Sequence, residues 1–249
     1  MELSGPSNDA LGNWDLAIGL RWRRVGPVSP FGMLFGLSSD RNGFAAQRAQ
    51  MVRVQLAERG VRDERVLEAM RFVPRHEFVL EALQDRAYED HPLPIGCEQT
   101  ISQPYIVALM LEHLTLKPSD RVLEVGTGSG YVTALLSTLC AEVYSVERHD
   151  ELAAKAEVRL ERLGYSNVKI NVGDGTLGWP EHAPYDAILV SAAAAEVPPA
   201  LVAQLREGGR MIIPVGPAVT QDLQLVRKIE GAPEIVRLEG CRFVPLISG

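Results

Sequence analysis

The chain has 249 residues, enough for one full core or for one domain with an extension. Hydrophobic residues make up 46% and charged residues 23%, ordinary for a globular protein, and 25 Lys and Arg against 32 Asp and Glu leave a net charge of −7. That balance excludes the broad positive field that a phosphate backbone requires. The scattered Cys97, Cys140 and Cys241 exclude a disulfide framework or a zinc cluster, and no apolar run reaches the length of a membrane span.

Residues 1–44 carry Gly, Pro, Ser and Asn without periodicity and read as a poorly ordered extension. Arg21, Arg23 and Arg24 surround Trp22, a small basic cluster that reads as a solvated arm. The apolar residues 27–37 are broken by Pro30 and Gly32 and lack a cleavage site, so they do not make an export signal. The cytoplasm is the expected compartment. From residue 45 the pattern sharpens. Ala49, Val52 and Leu56 share a helical face, with Gly60 as its cap, and Met51 offers a second candidate start for the native protein. Asp63 caps a helix holding Val66, Leu67 and Met70, which ends before Pro74. Residues 88–102 read as a loop with Pro92, Pro94 and Gly96, and residues 104–114 as a helix with Pro104 in its first turn.

Strand and helix then alternate. Strands are expected at 121–125, 142–147, 168–172, 185–190 and 210–215, and closing strands at 223–227 and 242–246. Helices are expected at 131–140, from a cap at Asp150 to Gly164, and at 198–205, with a turn at Gly208-Gly209. Val168, Ile170 and Val172 alternate, whereas Ile188-Leu189-Val190 is a fully buried run. The expected fold class is α/β: a mostly parallel, doubly wound, Rossmann-like sheet preceded by N-terminal helices, with its ligand beyond the carboxyl ends of the strands.

The strongest motif is Val122-Leu123-Glu124-Val125-Gly126-Thr127-Gly128-Ser129-Gly130, at the end of the first parallel strand and the start of a helix. Glycines there let the chain turn and let a ligand approach, and the helix start offers free N–H groups to an anion. A nicotinamide fingerprint needs its third glycine at Tyr131, one residue later than Gly130, and no lysine follows to make a P-loop. Glu124 suits a site that tolerates cationic groups. Glu147, ending the next strand, suits a ribose diol, and Asp174, between Gly173 and Gly175, an adenine amino group. Each also has a plain structural role open to it, as a strand end or a turn former. Glu147 alone does not separate S-adenosyl-L-methionine from a dinucleotide. Together, in order on successive strand ends, these residues favour a cofactor site, expected to take S-adenosyl-L-methionine at Glu124, Gly126, Thr127, Gly128, Gly130, Glu147, Asp174 and Gly175, with no metal expected.

The segment Pro94-Ile95-Gly96-Cys97-Glu98-Gln99-Thr100-Ile101-Ser102-Gln103-Pro104 resembles the substrate loop of the protein-L-isoaspartate O-methyltransferases. Val73-Pro74-Arg75-His76 with Phe78, Gly173-Asp174-Gly175 with Gly178-Trp179, Pro198-Pro199-Ala200-Leu201 and Arg242-Phe243-Val244-Pro245-Leu246 resemble further family segments, so that residues 47–247 are covered. The resemblance implies a methyltransferase domain at 45–249. It implies transfer of a methyl group from S-adenosyl-L-methionine to the α-carboxylate of L-isoaspartyl residues in damaged proteins and peptides, whose ester collapses to a succinimide and so begins repair. It further implies Ser102 as the active-site serine and Gln99, Thr100, Ile101 and Val244 as substrate-binding positions. Ser102, two residues ahead of Pro104, also reads as an N-cap. The family commonly has Gly where this chain has Glu98. The expected protein is a monomer acting on isoaspartyl proteins and peptides, with no nucleic acid or membrane partner. The alternatives are a methyltransferase for another substrate and a non-catalytic cofactor-binding protein on the same fold.

Overall fold

The computed structural model describes residues 43–217 and 219–248. The readings made on residues 1–42, the arginine cluster around Trp22 and the apolar 27–37 among them, lie outside the described residues. The first helix, α1 (Phe44–Gln50), runs without a break into a π-helical stretch (Met51–Ala57). The wider turn rotates the buried face: Met51, Val52 and Leu56 are buried while Ala49, expected beside them, is exposed. Helix α2 (Glu64–Phe72) starts as anticipated, with the Asp63 carboxylate accepting the N–H of Arg65 at 2.8 Å and of Val66 at 3.3 Å.

The expected loop at 88–102 contains a hairpin, β1 (Leu93–Gly96) against β2 (Gln99–Ile101), closed by Cys97 and Glu98. Both turn residues are left-handed, with φ of 49° and 58°, the conformation a two-residue I′ turn requires. Helix α3 (Pro104–Leu114) follows. Strands β3 (Arg121–Val125), β4 (Glu142–Glu147), β5 (Val168–Val172), β6 (Tyr185–Val190) and β7 (Leu205–Val215) are parallel, and β8 (Gln221–Ile229) and β9 (Ala232–Cys241) close the sheet antiparallel. The order is β5-β4-β3-β6-β7-β8-β9. Helix α4 (Tyr131–Leu139) follows β3, α5 (Asp150–Arg162) follows β4 and α6 (Pro199–Gln204) precedes β7. The N-cap of α5 is His149, and Asp150 is its first residue, so the expected cap is displaced by one position.

Successive strand residues point to opposite faces, and both faces are covered. Val122, Val143, Ala187 and Ile212 pack toward α2, α3 and α4, whereas Leu123, Tyr144, Ile188 and Met211 pack toward α6 and Trp179. Two expectations fail at the sheet's edges. Val172 is exposed on β5, which is an edge strand among the described residues, and residues 242–246 form a strap in which, among the described residues, only Pro245 bridges, to Ala193. The closing strand is β9 instead, nearly all exposed and so without apolar alternation. β4 lies on one side of β3 and β6 on the other, which opens a crevice at the carboxyl ends of β3 and β6.

Candidate functional site

The crevice encloses about 820 Å³, the open solvent at its mouth included. Its floor is the loop after β3. Gly126 donates its N–H to Val146 O at 2.8 Å, and Ser191, at the end of β6, donates to Val125 O at 2.8 Å, so the loop leaves between two strand ends. Gly126 and Gly128 have φ of 94° and 53°. A Cβ on Gly126 would lie 3.4 Å from Ser191 Cβ, and one on Gly128 would lie 3.3 Å from Ile95 Cδ1, so side chains there would fill space along the crevice. Gly130 serves differently. It is the N-cap of α4, and a Cβ on it would press on Leu160 and Ala156 of α5, away from the crevice. Gly130, expected among the cofactor residues, is not part of the crevice lining and packs against α5.

The three acids separate. Glu147 lines the crevice, and its carboxylate accepts the N–H of Gly128 at 2.7 Å and of His149 at 3.0 Å. A carboxylate offers about four acceptor positions, so two bonds leave capacity for a ligand's hydroxyls. Glu124 is fully buried beneath the loop and does not line the crevice. Its Oε2 accepts the hydroxyls of Ser145 and Thr133, each at 2.6 Å, and its Oε1 has no partner among the described residues. Ser145 also shares a 2.6 Å hydrogen bond with the Thr127 hydroxyl, linking the buried carboxyl to the loop. Burial pushes the Glu124 carboxyl up to about 8 against the opposing pull of those hydroxyls, which makes it a neutral acid near pH 7. It reaches the loop through Ser145, which bonds both Glu124 and Thr127. Asp174 also does not line the crevice; its carboxylate accepts the N–H and hydroxyl of Thr176 at 2.8 and 2.7 Å, the cap of a short 3-10 turn. Gly175 does line it, and a Cβ there would collide with Val125.

The opposite wall is the β1–β2 hairpin with the strap. Gln99, Thr100, Ile101 and Ser102 line the crevice from one side and Val244 and Leu246 from the other. The strap is held by Ala193, whose N–H donates to Val244 O at 2.8 Å and whose carbonyl accepts from Leu246 N at 2.7 Å. Ser102 is not the cap of α3. Gln103 is the N-cap residue, and Asp90 supplies the acceptor, taking the N–H of Tyr105 at 3.3 Å and the Gln103 side-chain amide at 2.8 Å. The Ser102 hydroxyl is therefore left without a hydrogen bond among the described residues, while its carbonyl accepts from Arg75 Nη2 at 2.8 Å. Sequence reasoning missed Asp90, Arg75 and Ser191 as site residues. Each acts on a segment distant in the chain, which local patterns do not reveal. Among the described residues no cluster of His, Cys, Asp and Glu has the makings of a metal site.

Residues 46–249 match the family model for protein-L-isoaspartate(D-aspartate) O-methyltransferase. The chain is 56% identical over 211 residues to the protein-L-isoaspartate O-methyltransferase of Koribacter versatilis, covering 85% of this chain and 95% of that one. It is 52% identical over 205 residues to protein-L-isoaspartate O-methyltransferase 1 of Syntrophobacter fumaroxidans, covering 82% and 96%. A crystal structure of a Plasmodium falciparum protein of the same description, in complex with S-adenosyl-L-homocysteine, superposes with a TM-score of 0.72 at 31% identity, covering 81% of this chain and 99% of that one.

Proposed function

The chain belongs to the protein-L-isoaspartate(D-aspartate) O-methyltransferase family, and from that premise we propose that one end of the crevice binds S-adenosyl-L-methionine while Ser102 receives an isoaspartyl α-carboxylate at the other. The reaction of the enzyme is methyl transfer from S-adenosyl-L-methionine to L-isoaspartyl residues, the first step of their repair.

The residues present fit the cofactor. Gly126 and Gly128 leave open the space that a Cβ would take, Glu147 keeps acceptor capacity at the mouth, and Gly175 allows close approach from a third strand end. We assign cofactor contacts to Gly126, Thr127, Gly128, Glu147 and Gly175. Glu124 acts through Thr127, and Asp174 acts by shaping the turn at Gly175, on the side assigned to an adenine amino group. When bound, the cofactor supplies an electrophilic methyl group on a positively charged sulfur.

The acceptor is a carboxylate, already ionised near pH 7, so the chain needs no strong base at this site. Ser102 donates its hydroxyl hydrogen to one carboxylate oxygen and leaves the other free to attack. Gln99, Thr100 and Ile101 hold the peptide on one side and Val244 on the other. Charge disappears as the ester forms, and the apolar Ile95, Ile101, Val244 and Leu246 around the crevice favour that neutralisation by excluding water. One observation carries this assignment: Ser102 lines the crevice beside the glycine loop, and its hydroxyl has no hydrogen bond among the described residues. A labelled-methyl assay on matched isoaspartyl and aspartyl peptides tests it. Transfer to the isoaspartyl peptide alone is expected, and equal transfer to both would move the substrate assignment elsewhere.

The same proposal holds the enzyme to be a cytoplasmic monomer acting on proteins and peptides, with neither nucleic acid nor membrane as partner. The net charge of −7 and the free Cys97, Cys140 and Cys241 support it, and no helix among the described residues is long and apolar enough to cross a membrane.

A further inference from the structure

Arg75 sits on a short 3-10 turn (Arg75–Phe78) and is fully buried, at 0% exposure. No carboxylate among the described residues lies within ion-pair distance of it; Asp90 acts on it only from farther away. Its donors go to main-chain carbonyls instead. Nε donates to Ala87 O at 2.8 Å and Nη2 to Ser102 O at 2.8 Å, while Nη1 has no hydrogen-bond partner among the described residues. The guanidinium carbon stands 4.9 Å from the centre of the Tyr131 ring, and Tyr131 opens α4 directly after the glycine loop. Burying a cation without a counter-ion costs several kcal/mol, so a site that keeps one gains little stability by it. The planar fork of arginine does what lysine cannot: it holds two carbonyls at a fixed separation.

We propose that Arg75 is a positioning residue for methyl transfer: by clamping the Ser102 carbonyl from behind, it fixes the main chain so that the Ser102 hydroxyl faces the acceptor carboxylate. Arg75 touches neither substrate nor cofactor, and it is absent from the crevice lining. Its action runs through Ser102, and this inference rests on the role assigned to Ser102 above. A residue that only braced the fold would lower every property of the enzyme together. A positioning residue lowers acceptor turnover and spares cofactor affinity.

A double-mutant cycle of Arg75→Lys and Ser102→Ala decides the matter, read as kcat/KM on an isoaspartyl peptide and as affinity for S-adenosyl-L-homocysteine by calorimetry. Arg75→Lys keeps the charge and loses the fork. It is expected to lower kcat/KM about tenfold when Ser102 is present and less than twofold in the Ser102→Ala background, with cofactor affinity within twofold throughout. Additive losses, or an equal loss of cofactor affinity, overturn the positioning role while leaving that of Ser102 intact. Full kcat/KM in Ser102→Ala alone overturns the serine assignment, and the clamp's purpose with it. NMR of the Arg75 guanidinium in the unaltered chain needs no substitution to fold. Separate, slowly exchanging Nη protons are expected, and one averaged Nη signal overturns the clamp.

Discussion

Glu147 Oε2 accepts the backbone N–H of Gly128 at 2.7 Å, so the acid that ends β4 and the glycine loop that follows β3 are a single unit. Its other oxygen takes the N–H of His149 at 3.0 Å, which fixes the start of α5 as well. Glu147→Ala removes an acceptor from the crevice and frees two loops at once. A charged hydrogen bond contributes about 1.5–3 kcal/mol, so cofactor affinity is expected to fall about ten- to hundredfold, measured by calorimetry with S-adenosyl-L-homocysteine. Glu147→Gln, which keeps one carbonyl acceptor, should lose less. Unchanged affinity in both variants removes Glu147 from cofactor binding.

Glu124 makes a prediction about pH. Burial raises its carboxyl from about 4.5 to about 8, so between these values the folded chain holds a proton that the unfolded chain has released. The stability this group contributes is complete below the lower value, declines across the window, and is gone above the upper one. Glutamine mimics the neutral acid, because its carbonyl can accept from both Ser145 and Thr133. Glu124→Gln is therefore expected to flatten the fall in Tm between about pH 5 and about pH 9, sparing on the order of a few kcal/mol at the alkaline end. Parallel Tm curves for the two proteins would show that Glu124 titrates normally.

The parts of the fold legible in the sequence are those whose pattern is local. The β6 run Ile188-Leu189-Val190 reads as a doubly covered strand because both of its faces are buried, and Asp63 reads as a cap because the N–H groups it accepts are two and three residues away. β9 escapes because its residues are nearly all exposed, so nothing apolar alternates. The β1–β2 hairpin escapes because its two left-handed positions are Cys97 and Glu98, where Gly or Asn would have signalled the turn. At the site, Glu147 was legible from its place at a strand end. That Glu124 lies under the loop and Gly130 against α5 was not, because only the packing of α4, α5 and the hairpin decides which side of the loop faces the ligand.

Helix α1 carries more of the fold than its length suggests. Phe44 is buried and stacks on His76 at 4.2 Å, one residue from Arg75, and Arg48 donates to Arg71 O at 2.6 Å and to the Tyr88 hydroxyl at 3.1 Å. A start at Met51 would remove all three contacts and cut into a continuous helical stretch whose Met51 is itself buried. In the full chain Phe44→Ala is expected to cost about 3 kcal/mol and Arg48→Ala about 1 kcal/mol, measured by urea denaturation. Loss of less than a third of the Phe44 value would mean that α1 is only loosely docked.

Glu98 occupies the second left-handed position of the hairpin turn, at φ 58°, and its side chain is exposed and absent from the crevice lining. A non-glycine residue held there costs about 1–2 kcal/mol, whereas glycine relieves that strain and loses about 0.5–1 kcal/mol through the freedom of the unfolded chain. Glu98→Gly is therefore expected to stabilise the protein by about 0.5–1 kcal/mol, seen as a modest rise in Tm. Two readings of the position then separate through KM for an isoaspartyl peptide. If Glu98 matters only as a strained turn residue, KM stays within about twofold, since the charge points to solvent outside the crevice and is screened there. If instead its anion repels the carboxylate substrate, KM falls severalfold in Glu98→Gly and also in Glu98→Gln, which removes the charge and keeps the strain. The geometry favours the first outcome, and a parallel fall in both variants would reverse it.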